Sequence, residues 1–330
     1  MEFLKFFKDR FFSIFSKVGH EKGRWTSLLV FGLSRWNMMV RRHSAEGPAM
    51  DAFYFYHKIH ARLRHELKPV TAWRWEDAWR QVRLRMEIFQ HGLYAGHFSL
   101  RKGVSNRLTN VVYAIQMHAV DRWGSRRDGE TYRILSFAAG RGTDVQLAVE
   151  ELHESYPDMK FDIKLLDRDM KSLRIALRRI AKVLGADFLK TEEMGDMVVL
   201  ASGGHRVTIC KKNLHPRRFA KIAEKEIRDF EPDVVAVMGF PDYLNDNQVE
   251  EMAQRIHASL KRGACIITAN ILKSAGLMER AFLHLVIWWP PMFYRTEEQF
   301  AVAFRSFGLG NCTLMREPTR SFIVLFGRRG

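Results

Sequence analysis

Gly140 and Gly142 are the residues whose type and spacing say most about the chemistry of this chain. They follow the short apolar run 134–139, and a helical pattern begins after them at Val145. Glycines after a strand let a ligand approach the backbone, and the first turn of a helix offers unpaired N–H groups. The turn therefore predicts a site for a nucleotide-like cofactor. It lacks the third glycine of a dinucleotide fingerprint, and the Gly-Lys-Ser/Thr of a phosphate-binding loop is also missing.

A carboxylate at the end of the next strand fits the same site. The strand-like run 161–166 is followed by Asp167, Arg168 and Asp169. A carboxylate at this point can accept both hydroxyls of an adenosine ribose, while aspartate is also a favoured helix N-cap. Because a helical pattern starts near Met170, we assign the cap to Asp169 and the ribose contact to Asp167.

The elements that must position these residues alternate along the chain. Strand-like runs are separated by helical or loop sequence, which predicts a mostly parallel sheet covered on both faces. The last two runs lie five residues apart and predict a closing antiparallel pair. With the apolar run that starts at Ile134, the expected total is seven strands, the others being 161–166, 206–210, 233–238, 264–270, 312–316 and 321–327.

Four segments resemble class I S-adenosylmethionine-dependent methyltransferases: 134–144, 165–173, 237–244 and 262–270. The phrase GFPDYL at 239–244 further resembles the "GLFDYL" of a bacterial subgroup that includes 3-hydroxypalmitate methyl ester synthase-like proteins. Three other features support the same subgroup, namely Asn270, the pair Trp288 and Trp289, and the run YRTEE at 294–298. Upstream, the segment 92–97 resembles the subgroup's "GYAGD", with His97 in place of the acid.

This resemblance implies a Rossmann-like α/β fold for residues 131–330, a seven-stranded methyltransferase sheet that binds S-adenosylmethionine. We expect no metal site. The cofactor-binding residues implied are Ser136, Ala138, Gly140, Gly142, Asp144, Asp167, Arg168, Asn213, Leu214, Met238 and Gly239. Of these, Asn213 and Leu214 are expected near the adenine.

Two positions depart from the family pattern. Many class I enzymes carry an acid and a glycine where this chain has Ser136 and Ala138. Contact with the methionine end of the cofactor is thereby left to backbone groups and to Asp144.

Catalytic candidates depend on the methyl acceptor. A carboxylate acceptor needs orientation, for which Tyr294 and Arg295 are candidates. A hydroxyl acceptor benefits from a general base, for which His97 and Asp242 are candidates. The preferred acceptor is a small apolar or acyl-type molecule with a carboxyl or hydroxyl group, lipid-like in character.

Residues 1–130 are expected to form a helical N-terminal region that carries most of the positive charge. The chain has a formal net charge of +16, and this region holds 23 basic against 12 acidic residues. In the first helix, over residues 1–18, the apolar side chains share one face and lysines lie elsewhere. Packing on the protein itself or on a second subunit, and contact with a membrane surface or protein partner, both remain open for this helix.

Two other functions stay open alongside the methyltransferase. An RNA methyltransferase would use the basic N-terminal region to bind nucleic acid, and a non-catalytic subunit would bind the cofactor only as part of a scaffold. Three cysteines without paired spacing indicate free thiols in a reducing compartment. We therefore expect a cytoplasmic protein, with peripheral membrane association and homo-oligomer formation as open alternatives.

Overall fold

In the part of the chain that the structure describes, strands that mostly alternate with helices assemble into a sheet of nine strands. A computed structural model describes residues 98–123, 130–185, 190–275, 292–305 and 311–330. The strands are β1 (Thr131–Phe137), β2 (Lys160–Asp167), β3 (Lys190–Met194), β4 (Met197–Ser202), β5 (His205–Lys211), β6 (Val234–Val237), β7 (Cys265–Ile271), β8 (Asn311–Arg316) and β9 (Phe322–Arg328). The helices are α1 (Phe98–Trp123), α2 (Thr143–Ser155), α3 (Met170–Val183), α4 (Pro216–Phe230), α5 (Asp246–Ser259) and α6 (Glu297–Arg305), with a 3₁₀ turn at Pro241–Tyr243.

The strands lie in the order β3-β4-β5-β2-β1-β6-β7-β9-β8. Neighbouring strands from β5 to β7 are parallel, whereas β3 and β4 on one side and β9 and β8 on the other are antiparallel. All seven expected strands are present, and the closing antiparallel pair is confirmed as β8 and β9. The sheet exceeds the expected seven strands because the hairpin of β3 and β4 extends it beyond β5.

Each face of the sheet is buried against helices, as its parallel centre requires. On β1, Ile134 belongs to a core shared with α1, α2 and α3, whereas the next residue, Leu135, packs into a core shared with α4, α5 and α6. This period of two along a strand buried on both faces explains its continuous apolar sequence.

Helix α1 is held to the sheet by a buried histidine. His118 is hydrogen-bonded through Nδ1 to the Tyr132 hydroxyl, at 2.8 Å, and through Nε2 to the Gly263 carbonyl, at 3.0 Å. Since a carbonyl can only accept, Nε2 carries the proton and Nδ1 accepts from Tyr132. One side chain therefore joins α1, β1 and the loop before β7.

The three cysteines are free thiols on strands, as the sequence predicts, although only Cys265 is fully buried and the other two are half-buried. None of the described helices is long and apolar enough to cross a membrane. The helix expected at 1–18, His97, Trp288 and Trp289 lie outside the described residues, so their expected roles and the domain boundary at 130/131 stay predictions.

Candidate functional site

The glycine turn lies at the carboxyl edge of the sheet, between β1 and α2. Ala138, Gly140 and Gly142 all have positive φ, at 50°, 53° and 58°. A side chain at Gly142 would meet Ala176 Cβ at 3.0 Å and Leu165 Cδ1 at 3.3 Å, so this glycine lets α2 begin close to β2 and α3. At Gly140 a Cβ would meet nothing within 4 Å, which leaves open space on that side of the turn.

Ala138 adopts the left-handed conformation that glycine tolerates better. The position at which many class I enzymes have glycine therefore keeps glycine-like backbone geometry in this chain. The neighbouring departure, Ser136, is buried, and its hydroxyl has no hydrogen-bond partner within the described part of the chain.

Asp167 closes the other side of the turn. Its Oδ2 accepts a hydrogen bond from the Gly140 N–H, and its Oδ1 accepts one from the Asp169 N–H, each at 2.9 Å. Burial raises the pKa of this carboxyl, although both N–H groups oppose the rise. Each carboxylate oxygen has about two lone-pair sites, so each retains one for a further donor. A pair of ribose hydroxyls would match these two acceptor sites.

The two residues after Asp167 have different surroundings. Asp169 is the N-cap of α3 and accepts from the N–H groups of Lys171 and Ser172, which confirms the capping role expected for it. Arg168 is exposed at the rim. It lies beside the site without being buried in it.

The segment after β5 runs beside Asp167. The Lys212 N–H donates to the Asp167 carbonyl at 2.8 Å, which places Asn213 and Leu214 next to the end of β2. Asn213 is exposed and Leu214 is buried. The residues expected near the adenine therefore adjoin the residue expected at the ribose.

Glu226 on α4 fixes this segment. It lies 2.6 Å from Lys164 Nζ on β2 and 3.1 Å from Lys212 Nζ. Burial works to raise the pKa of Glu226, but the two ammonium groups outweigh burial and hold it below its usual value. Glu226 thus joins the ends of two neighbouring strands at the site.

On the far side of β1, the chain leaves β6 through Met238 and Gly239 into the turn that holds Asp242. This carboxyl is 4% exposed, and its Oδ1 accepts from the Ile271 N–H at 2.7 Å. Burial raises the pKa of Asp242 to about 6, against the opposing effects of that hydrogen bond and of nearby arginines. The expected base is therefore positioned between the ends of β6 and β7.

Arg295 and Asn270 lie behind Asp242 and bind each other. Arg295 Nη1 donates to Asn270 Oδ1 at 2.9 Å, and the rest of this buried guanidinium also faces protein acceptors. Arg295 therefore works as a clamp within the fold, which differs from the orienting role expected from the sequence. Tyr294 beside it is half-buried and has contacts of its own.

Arg107 on α1 is a site residue that sequence reasoning missed. It is 7% exposed, and its Nη1 lies 3.7 Å from the position that a Cβ on Gly239 would occupy. The same position is 4.0 Å from Asp242 Oδ2. A local signal existed, since Val104, Arg107 and Val111 follow helical spacing and place a cation on the buried face of α1.

Asp144 lies in the first turn of α2, facing the same arginine. It is half-buried, and burial raises the pKa of its carboxyl while backbone N–H groups and Arg107 oppose the rise. Among the described residues no group of His, Cys, Asp and Glu side chains could hold a metal ion.

Comparisons with known proteins give likeness at the level of structure alone. No protein-family model and no curated protein sequence matches the chain. Solved structures that resemble it include a possible exported protein from Bordetella parapertussis, at 15% identity over 70% of this chain and 69% of the other, with a TM-score of 0.49.

Two further structural neighbours are methyltransferases by name. Magnesium protoporphyrin IX methyltransferase from Synechocystis, solved with bound S-adenosylhomocysteine, is 11% identical over 70% of this chain and 86% of its own, with a TM-score of 0.45. An O-methyltransferase family protein from Burkholderia thailandensis is 16% identical over 71% of this chain and 61% of its own, with a TM-score of 0.39. At such scores the likeness identifies neither the substrate nor the reaction of this chain.

Proposed function

We propose that this protein is a class I S-adenosylmethionine-dependent methyltransferase. The observation that supports this most directly is Asp167, which keeps one acceptor site on each oxygen beside the open side of Gly140. In open α/β sheets, ligands bind beyond the carboxyl ends of the strands, where this pair lies. Because β1 lies between β2 and β6, the segments that follow the neighbouring strands flank Asp167 and Gly140 on both sides.

The residues around Asp167 and Gly140 can each be assigned to a different part of the cofactor. Asp167 would accept from the ribose hydroxyls, and the segment at Asn213 and Leu214 would border the adenine. Met238 and Gly239 would line the opposite side, across the end of β1. This division uses residues from three neighbouring strand ends, as expected for an extended ligand bound across a sheet edge.

The bound cofactor would supply an electrophilic methyl group, so the chain's task is to position the acceptor and to move a proton where the acceptor carries one. Asp242 suits a hydroxyl acceptor. With a pKa raised by burial to about 6, it is mostly ionised at neutral pH and can accept a proton. Arg295 would support this carboxyl from behind, because four of its five N–H donors are used within the fold.

For the acceptor we propose a small apolar or acyl-type molecule with a hydroxyl or carboxyl group. Phe293 supports an apolar acceptor, because this residue is 47% exposed while its N–H donates to the Asp242 carbonyl at 2.7 Å. The phrase GFPDYL at 239–244 and the run YRTEE at 294–298 support the same class through their resemblance to the methyl ester synthase subgroup.

Calorimetric titration with S-adenosylmethionine, S-adenosylhomocysteine and NAD tests the cofactor proposal. We expect micromolar binding of the first two and none of NAD, because Val145 replaces the third glycine of a dinucleotide site. Asp167→Ala should weaken both by tenfold or more, since two charged hydrogen bonds would be lost. Asp158→Ala, at an exposed position before β2, is the matched control and should bind as the unsubstituted protein does.

Thermal unfolding of both variants separates a lost contact from a lost fold. A folded Asp167→Ala protein with unchanged affinity would remove Asp167 from the ribose site. Absence of binding by the unsubstituted protein would overturn the methyltransferase proposal altogether.

A further inference from the structure

Arg107 places a buried positive charge at the carboxyl edge of the sheet, and packing holds it there. The α-carbon of Gly103, one turn earlier on α1, faces the β8–β9 turn so closely that a Cβ would meet Thr319 Oγ1 at 2.8 Å. Asn106 donates to Glu317 of the same turn at 3.3 Å. The guanidinium carbon of Arg107 lies 4.9 Å from the centroid of the Phe322 ring. A charged group anchored in this way has a fixed direction.

Two carboxylates face this guanidinium from different elements. Asp144 belongs to the first turn of α2, and Asp242 to the turn after β6, and Arg107 acts electrostatically on both. Gly239 lies close to both charges, since a Cβ there would be 3.7 Å from Arg107 Nη1 and 4.0 Å from Asp242 Oδ2. Without that Cβ, a ligand can approach the guanidinium and the carboxylate along the backbone of the loop.

We infer that Arg107 binds the carboxylate at the methionine end of the cofactor. The inference rests on the proposed function and assigns a charged side chain to an end that the sequence left to backbone groups and Asp144. A guanidinium is suited to the task, because its planar donors match a carboxylate in geometry and remain charged at every physiological pH.

The number and sign of the charges support this assignment. S-adenosylmethionine carries two positive groups, the sulfonium and the ammonium, and one negative carboxylate. Arg295 also acts on Asp242, but it is paired with Asp246. The cluster therefore presents the opposite set, with the carboxylates of Asp144 and Asp242 and the guanidinium of Arg107. A buried site that neutralises its ligand group by group avoids leaving charges unpaired in a poorly solvated place.

A purely structural role for Arg107 would give a different response to the ligand. If the guanidinium served only to neutralise the two acids, its removal would disturb every ligand of the site alike. If it binds the cofactor's carboxylate, its removal matters only for ligands that carry that group. The difference can be measured as a coupling between one side chain and one ligand group.

The experiment is a cycle of binding measurements by calorimetry, without turnover. Unsubstituted protein and Arg107→Gln are each titrated with S-adenosylmethionine and with its decarboxylated form, which keeps the adenosine, the sulfonium and the ammonium. Arg178→Gln, which removes an exposed arginine from α3, serves as the control for the change of net charge. Circular dichroism and thermal unfolding verify that each variant is folded.

We expect Arg107→Gln to weaken binding of S-adenosylmethionine by about tenfold or more, the size of a charged hydrogen-bond pair, and that of the decarboxylated form by less than about threefold. Equal weakening of both ligands, or of neither, would overturn the inference while leaving the methyltransferase proposal intact. Absence of S-adenosylmethionine binding in the unsubstituted protein would instead contradict the proposed function.

Should Arg107→Gln fail to fold, two measurements remain decisive. Arg107→Lys keeps the charge without the forked geometry and should show a smaller preference for the carboxylate-bearing ligand. The unsubstituted protein alone should bind S-adenosylmethionine about tenfold or more tightly than the decarboxylated form. Equal affinities for the two ligands would overturn the inference without any variant.

Discussion

At the scale of single residues, Arg295 shows how burial decides the role of a charged side chain. Its Nε donates to Asp246 at 2.8 Å, Nη1 donates to the Pro241 carbonyl at 3.1 Å and to Asn270 at 2.9 Å, and Nη2 donates to the Leu244 carbonyl. Four acceptors on the turn after β6, on α5 and on β7 thus share one guanidinium. The side chain stabilises the wall behind Asp242.

We therefore predict that Arg295→Lys lowers the free energy of unfolding by about 2–4 kcal/mol, because an ammonium cannot reach all of these buried acceptors. Urea denaturation measures the change. Arg316→Lys is the control, since Arg316 is 70% exposed and pairs with Glu297 at the surface, where a pair contributes about 0.5 kcal/mol or less. Similar losses in the two variants would contradict the clamp role.

At the scale of secondary-structure elements, α4 positions part of the site through Glu226. The carboxylate receives ammonium groups from β2 and from the segment after β5, so one helical residue aligns two strand ends. One of the two lysines is Lys212, whose backbone N–H donates to the Asp167 carbonyl. A change on a helix that touches no ligand should therefore reach the cofactor site.

Glu226→Gln should lower the stability of the fold by about 2–3 kcal/mol, because two ammonium groups lose their buried carboxylate. It should also weaken cofactor binding, as the adenine-side segment loses its anchor. Glu224→Gln, two residues earlier on α4, removes a surface carboxylate that pairs with Arg228 and Arg255. Denaturation and calorimetry are carried out on both variants. Equal losses of stability and of cofactor affinity in Glu226→Gln and Glu224→Gln would indicate a general effect on the helix and would contradict the role given to Glu226.

The elements also show what the sequence can predict. The seven expected strands carry apolar runs of their own. Six were found within one residue of their expected bounds, and β1 begins three residues before the expected Ile134. Strand β4 was missed although Met-Val-Val-Leu is an apolar run, and β3 was missed because its sequence, Lys-Thr-Glu-Glu-Met, has no apolar alternation. The hairpin turns around it do carry a signal, since Gly195-Asp196 and Gly203-Gly204 are two-residue connections rich in glycine.

The same limit applies to the site. Gly140 and Asp167 lie next to the strands that position them, so short motifs reveal both. Arg107 reaches Gly239 from a distant part of the chain, and only the packing of α1 on the sheet brings the two together. The helical spacing of α1 predicts that Arg107 lies on a buried face, but it does not predict which carboxylates lie near that side chain.

At the scale of the whole molecule, buried histidines make stability depend on pH. Burial lowers the pKa of His118 from 6.5 to about 4. The unfolded chain therefore binds a proton at a higher pH than the folded protein does. Stability from a neutral His118 is complete above about pH 6.5 and is lost as the pH falls towards 4.

The expected contribution of His118 is about 3 kcal/mol, which corresponds to a pKa lowered from 6.5 to about 4. Raised carboxyl pKa values, such as that of Asp242, act in the opposite direction below pH 6. The measurement is therefore a difference: the free energy of unfolding of the unsubstituted protein minus that of His118→Gln, at pH 7.5 and at pH 4.5. We expect this difference to be smaller at the lower pH. A constant difference would exclude His118 as a source of the pH dependence of stability.

The position of β9 between β7 and β8 has a consequence for the newly made protein. Every residue of β7 is buried in the finished sheet, and one edge of that strand pairs with residues 322–328 of β9. At usual ribosomal rates the intervening stretch takes roughly several seconds to synthesise. During that interval β7 presents an apolar edge that can pair with other chains. The pace of translation through this stretch thus sets how long the nascent protein needs protection by a chaperone.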